Sequence, residues 1–212
     1  AIESLDLPDG EAVAPCALPE PQDDALLIYT SGTTGRPKGV IHSHASLLAG
    51  GANTAAAHHL TSEDRALCVL PLCHINGQVV TVMAPLISGS SVVMPSRFRV
   101  SKFWDWVSRH RCSWFSAVPT IISYLLGAEE AVVQPEKATL SHVRFGRSAS
   151  AALPPAVHTA FVERFGIPLV ETMGITETAA PILSNPLNPK AHRIGSPGKS
   201  CGNEVRIADE HN

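Results

Sequence analysis

The sequence predicts an α/β fold, with mainly parallel sheets covered by helices. Short apolar runs recur along the chain, helix-patterned stretches separate them, and glycine and proline mark the changeovers. Strands alternating with helices in this way imply parallel pairing with crossover helices.

The apolar runs fall at 25–30, 66–70, 91–94, 113–118, 143–145 and 167–170, each short enough for a buried strand. Helical patterning occupies 44–59, 77–87, 100–110, 119–127 and 154–165. Pro154-Pro155 supply a start signal for the last of these, and Gly166-Ile167-Pro168 supply a stop. Residues 1–24, punctuated by Pro8, Pro15, Pro19 and Pro21, read as a linker or an extended edge, and 25–212 as a partial domain. Gln134-Pro135-Glu136-Lys137 reads as a surface loop joining two halves. The proline- and glycine-rich stretch 181–202 reads as one long loop, of the kind that often carries function. Val205-Arg206-Ile207 reads as the start of one more strand.

With 212 residues, 44% hydrophobic and 17% charged, the chain can bury a sizeable core and is not disordered. A formal net charge of -3 leaves no basic footprint for nucleic acid. The ten histidines are scattered without metal-site spacing, which favours solvated or capping roles. Five cysteines without a CxxC pair argue against a disulfide framework or a structural zinc site. Cys68 and Cys112 lie in apolar runs, where a thiol behaves as a small hydrophobe. No stretch has the length of a transmembrane segment, so a reducing cytoplasm is the expected location.

Chemistry concentrates first in Tyr29-Thr-Ser-Gly-Thr-Thr-Gly-Arg-Pro-Lys-Gly39, directly after the apolar run 25–28. Hydroxyls, two glycines and one lysine after a strand can turn backbone N–H groups inward and bring a cation to polyphosphate. A Walker A loop is excluded, because Gly35 is followed by Arg36-Pro37-Lys38-Gly39 with no hydroxyl after the lysine. An ordinary Ser/Gly surface turn is the competing reading. Leu70-Pro-Leu-Cys-His74-Ile-Asn-Gly77 sets a histidine beyond a strand end, and Ser148-Ala-Ser-Ala-Ala-Leu153 offers small residues after another. Glu171-Thr-Met-Gly-Ile-Thr-Glu177 brings a hydroxyl suited to phosphate and a carboxylate suited to Mg²⁺. Loop-satisfied histidine, tight connection and helix cap are the plainer readings of these three.

Taken together and in this order, these segments resemble the AMP-forming, adenylate-forming superfamily of acyl-CoA synthetases, luciferases and peptide-synthetase adenylation domains. The 29–39 run is similar to its signature loop, 171–177 to its Tyr-Gly-x-Thr-Glu motif, 148–153 to its adenine-side loop, and 70–77 to its Pro-x-x-His-x-x-Gly segment. Gly195-Ser-Pro-Gly-Lys199 and Val118-Pro-Thr120 match two further landmarks, so the resemblance spans about residues 25–208. It implies an incomplete adenylate-forming, acyl-CoA synthetase-like N-terminal domain.

The resemblance also implies roles. Thr30, Ser31, Gly32, Thr33, Thr34, Gly35 and Lys38 would hold ATP phosphates. Ala149, Ser150, Ala151, Met173, Gly174 and Thr176 would complete the nucleotide site. Thr176, Glu177 and Lys38 would serve catalysis, with Glu177 and Thr30 on Mg²⁺. His74, Val118 and Met173 would shape the acyl pocket. Cys73 stands where phenylalanine is commoner, and Met173 replaces the aromatic residue that normally stacks on adenine. The implied cosubstrates are ATP, coenzyme A and a small-molecule carboxylate. Phe115-Ser-Ala-Val118 carries no aspartate to hold an α-amine, which disfavours an amino-acid or carrier-protein adenylation domain. The family's ribose-binding aspartate motif and C-terminal lysine domain are missing from these 212 residues. A fragment incompetent by itself, or a non-catalytic nucleotide-binding or partner-binding module, follows as an expectation.

Overall fold

The computed structural model describes residues 18–31, 36–128 and 137–210. A hairpin of β1 (Asp24–Thr30) and β2 (Lys38–Ser43) leads into helix α1 (His44–Ala57). Next come β3 (Arg65–Cys68), a π-helical segment Asn76–Met83 running into α2 (Ala84–Ser88), β4 (Ser91–Val93) and α3 (Val100–Arg109). The chain continues through β5 (Trp114–Ala117), α4 (Pro119–Gly127), β6 (Phe145–Ser148) and α5 (Pro155–Phe165). It finishes in β7 (Leu169–Ile175), β8 (Ala180–Ser184) and β9 (Lys199–Ser200).

The strands after the hairpin form one sheet in the order β4-β3-β5-β6-β7-β8-β9. Pairing is parallel from β4 to β7 and antiparallel beyond it. Strand side chains alternate between faces, and the two buried clusters obey that rule. Ala66, Trp114, Phe145 and Val170 share one face with Ile28 of the hairpin and with Val79 and Val80. Leu67, Phe115 and Leu169 share the other with Phe103 and Trp104 of α3, Ile122 of α4 and Phe161 of α5. On that second face Phe103 meets Trp104 at 4.9 Å and Phe115 at 5.1 Å, both edge-on as ring quadrupoles prefer. Gly146 makes the layer possible, because a Cβ there would lie 2.4 Å from the Phe115 ring.

Three expectations are corrected. The long loop read at 181–202 contains β8, β9 and a 3₁₀ turn at Pro189–Ala191. Pro181 had argued against a strand, but it pairs with Gly174 beside a register shift that absorbs its missing N–H. Residues 204–209 form no strand, having no sheet partner among the described residues. The expectation of solvated or capping histidines fails for three of them: His42, His58 and His158 are buried. His58 packs 5.1 Å from Phe145, and burial, reinforced by nearby Arg147, lowers its pKa to about 3. The 134–136 loop and most of the 1–24 linker lie outside the described residues.

Cys68 and Cys112 are buried as expected, and desolvation pushes the Cys112 thiol up to about 12. Asp64 joins three segments at the amino end of the sheet. It accepts both bonds of Arg144 Nη1 at 2.6 Å, the Ser113 hydroxyl at 2.7 Å and the Thr61 N–H at 2.9 Å. Burial alone would raise its pKa, but these donors outweigh burial and hold it below the ordinary carboxylate value. No helix of the described residues is long and apolar enough to cross a membrane.

Candidate active site

The carboxyl ends of β3, β4, β5, β6 and β7 open onto one cavity of about 870 Å³. Loops leaving parallel strands meet at that end of a sheet, where ligands collect in open α/β folds. Of the residues singled out from sequence, His74, Val118, Ala149, Ser150, Gly174, Thr176 and Glu177 line this cavity. Thr30, Ser31, Lys38, Ala151 and Met173 do not. Met173 sits on the neighbouring strand surface, 45% exposed, opposite Leu183 of β8. Gly32, Thr33, Thr34 and Gly35 lie outside the described residues.

The described parts of the 29–39 run end β1 and open β2 of the hairpin. Its mouth closes where Thr30 pairs with Lys38, and the Thr30 hydroxyl donates to the Lys38 carbonyl at 3.4 Å. One residue fastens the hairpin to the cavity. His42 Nε2 lies 2.7 Å from the Thr176 carbonyl; a carbonyl only accepts, so this nitrogen carries the proton. Ser46 flanks the other ring nitrogen at 3.4 Å.

Thr176 and Glu177 occupy a 3₁₀ turn after β7, closed by the Thr178 hydroxyl on the Ile175 carbonyl at 3.1 Å. The turn exits through Ala179 at φ 52° and Ala180 at φ 87°, left-handed values that cost an L-residue energy. Helix α1 presses against it: a Cβ on Gly50 would lie 2.1 Å from the Ala179 carbonyl oxygen. The strained turn is therefore held from below by α1 and from the side by His42. It presents the exposed Glu177 carboxylate at the cavity.

Opposite, Ser150 adopts φ 73° and its hydroxyl receives the Asn76 amide at 3.1 Å. Asn76 opens the π-helical segment, a backbone form that recurs at functional sites. Its carbonyl oxygen accepts from the Ser116 hydroxyl at 3.2 Å and from Arg147 Nη1 at 2.7 Å. Arg147, 2% exposed in β6, also donates to Ser116 Oγ at 3.0 Å, while its Nε has no partner. Burial lowers its pKa to about 9. Sequence reading ended the strand at residue 145 and missed Arg147. An arginine directly before a small-residue stretch was the available signal. It also missed Arg97, which reaches the cavity from the loop after β4.

Glu171, though part of the 171–177 motif, is structural. It accepts from buried His158 Nδ1 at 2.8 Å and from the Gly195 N–H at 3.0 Å, pinning the 185–198 segment to α5. Among the described residues no three His, Cys, Asp or Glu side chains cluster as a metal cage. A single exposed carboxylate still fits Mg²⁺ that arrives with a polyphosphate, because that ion keeps water and phosphate oxygens as its other ligands.

A strained Thr-Glu turn and a small-residue loop thus meet at one cleft, with the hairpin fastened to that turn through His42. The family model for AMP-binding enzymes matches residues 3–212, and the chain belongs to that family. It is 53% identical to a sulfoacetate–CoA ligase of Cupriavidus necator over 93% of its length, covering 38% of that enzyme. It is 35% identical to an oxalate–CoA ligase of Arabidopsis thaliana, covering 97% of this chain and 41% of the relative. Among solved structures, it matches o-succinylbenzoate CoA synthetase from Bacillus subtilis in complex with ATP and magnesium, at TM-score 0.78 and 30% identity, covering 91% of this chain and 39% of that one. The anthranilate CoA ligase AuaEII with anthranoyl-AMP gives TM-score 0.83 at 28% identity, covering 94% and 38%. The chain thus spans about two fifths of the length of these relatives, 38% and 41% of the two ligases.

Proposed function

We propose that the chain supplies the nucleotide and acid sites of an ATP-dependent acid–CoA ligase. In the first step a carboxylate oxygen of the acid attacks the α-phosphorus of ATP, and pyrophosphate leaves with the electron pair of the broken P–O bond. In the second, the thiolate of coenzyme A attacks the acyl carbon and AMP departs. The convergence of Ser150, Thr176 and Glu177 on one cavity with His74 supports this reading above any other observation.

The residues act by position and charge, and none of them is a nucleophile. Thr176 offers its hydroxyl to phosphate, and Lys38 at the hairpin mouth brings a cation to the triphosphate. Ala149 and Ser150 provide close backbone approach for a flat base. Thr30 and Glu177 are the oxygens that would hold Mg²⁺, which would offset charge building on the phosphates. His74 and Val118 wall the acid side. Met173, outside the cavity lining, contributes an apolar contact at the nucleotide end if the base extends over β7.

The test is ATP-dependent pyrophosphate release by the full-length gene product across a panel of carboxylic acids. Sulfoacetate, oxalate and malonate, the acids in the names of relatives, belong in that panel. Release with at least one acid, reduced about 10²-fold by Glu177→Gln, is expected. No release with any acid would refute the ligase reading.

A further inference from the structure

Two arginines of the β6 region are treated differently, Arg144 exposed and Arg147 buried. Arg144 meets the carboxylate of Asp64 through two 2.6 Å bonds. Arg147, three residues on, is more deeply buried, yet its bonds go to neutral oxygens only, the Asn76 amide and the Ser116 hydroxyl. No carboxylate lies within ion-pair distance of it among the described residues. A buried guanidinium without a counter-ion is expensive, and such groups persist where a charge is supplied from elsewhere. Arg147 is among the residues that line the cavity, so that supply can be a ligand.

The surroundings narrow the ligand. Asn76 and Ser116 hold one edge of the guanidinium, while Nε stays unbonded. A planar or tetrahedral oxyanion satisfies such a donor edge with two parallel bonds. Arg147 lies within the strand, before the loop of Ala149 and Ser150 begins, whereas Thr176 and Glu177 belong to a turn on another strand. An acid reaching both must carry one anionic group to be activated and a second one to meet Arg147. Val80, Val118 and Ile121 line the same cavity, so a neutral tail would bury well there but leave Arg147 unpaired.

We propose that Arg147, set by Asn76 and Ser116, is a specificity-determining residue that binds a second acidic group on the substrate. The enzyme therefore selects short acids carrying two anionic groups, dicarboxylates or sulfonated carboxylates, over their monoacid counterparts. The proposal rests on the ligase reading above and deepens it.

The experiment uses the full-length gene product and compares kcat/KM for malonate with propionate and for sulfoacetate with propionate. A preference of roughly 100-fold or more for the doubly charged acids is expected, the value of a charge-assisted bond plus the penalty for leaving its partner bare. Arg147→Met should remove that preference through KM, and Arg147→Lys should keep part of it. Asn76→Asp places a carboxylate where the amide oxygen now sits 2.7 Å from Arg147 Nη1, and should abolish the preference while keeping the arginine. Equal use of monoacids by the wild type would overturn the proposal. So would a preference surviving both Arg147→Met and Asn76→Asp. Should no acid release pyrophosphate, the ligase reading fails by itself, and calorimetry with malonate and propionate still decides the anion site. Heat with malonate alone supports it, and no difference overturns it.

Discussion

The ring of His42 and the carbonyl of Thr176 are 134 positions apart in sequence and 2.7 Å apart in space. This bond joins the hairpin that carries Lys38 to the turn that carries Glu177. Both sides of the proposed triphosphate grip are thereby tied to each other through a hydrogen bond whose donor is buried.

Replacing His42 by leucine should leave the Thr176 carbonyl without this partner and let the hairpin drift. A loss of about 1–3 kcal/mol of stability is expected from the orphaned acceptor. Because angstrom-scale misplacement is costly in catalysis, kcat/KM for ATP should fall by about 10²-fold while KM for the acid holds. Unchanged ATP kinetics would show that the hairpin is fixed by other contacts.

Gly50→Ala tests the support beneath the same turn. Alanine in a helix gains up to about 1 kcal/mol over glycine. Here the new Cβ would lie 2.1 Å from a backbone oxygen, and overpacking of that kind costs about 1–3 kcal/mol. A lower Tm together with reduced pyrophosphate release is the expected pair of results. A higher Tm would mean that α1 can retreat freely from the turn.

Removing the Asp64 carboxylate strands donors from Thr61, Ser113 and Arg144 together. Asp64→Ala should destabilise the chain by about 1–3 kcal/mol, because the stranded Arg144 is exposed and can turn to water. Urea unfolding measures it, and a change below about 1 kcal/mol would assign the network no structural weight.

Acid sensitivity should follow His58. Its folded pKa of about 3 lies below the ordinary 6.5, so the native state favours the neutral ring. The stability this confers is complete above pH 6.5 and lost as pH falls toward 3, by about 1.4 kcal/mol per unit. His192, lowered chiefly by its own burial, adds in the same direction. Asp64, also lowered, acts only below its ordinary 3.8. Urea midpoints measured between pH 7 and pH 4 should therefore fall steeply for the wild type and much less for His58→Leu. Equal slopes would place the sensitivity elsewhere.

The parallel strands were legible because burial on both faces makes them continuous apolar runs, as in Trp114–Ala117. Helix α5 was legible from its proline start and glycine stop. The motifs around Ser150 and Thr176 could be found because each is a local loop at one strand's end. Strand β2 was hidden, since Lys38–Ser43 is half exposed and runs without a break into α1. Strand β8 was hidden by Pro181, which sits beside a bulge in β8 itself, where Ile182 is the extra residue. Arg147 and His42 were missed for one reason. A polar residue inside an apolar element looks like an interruption until its partner, distant in sequence, is seen.

The sheet's change of direction at β7 separates two groups of residues. Asn76, Ser116 and Arg147 hang from the parallel half, while Glu177 sits where the antiparallel half begins. Because the Asn76 amide also holds the Ser150 hydroxyl, a substitution there would, under the proposed roles, shift acid choice and nucleotide fit together.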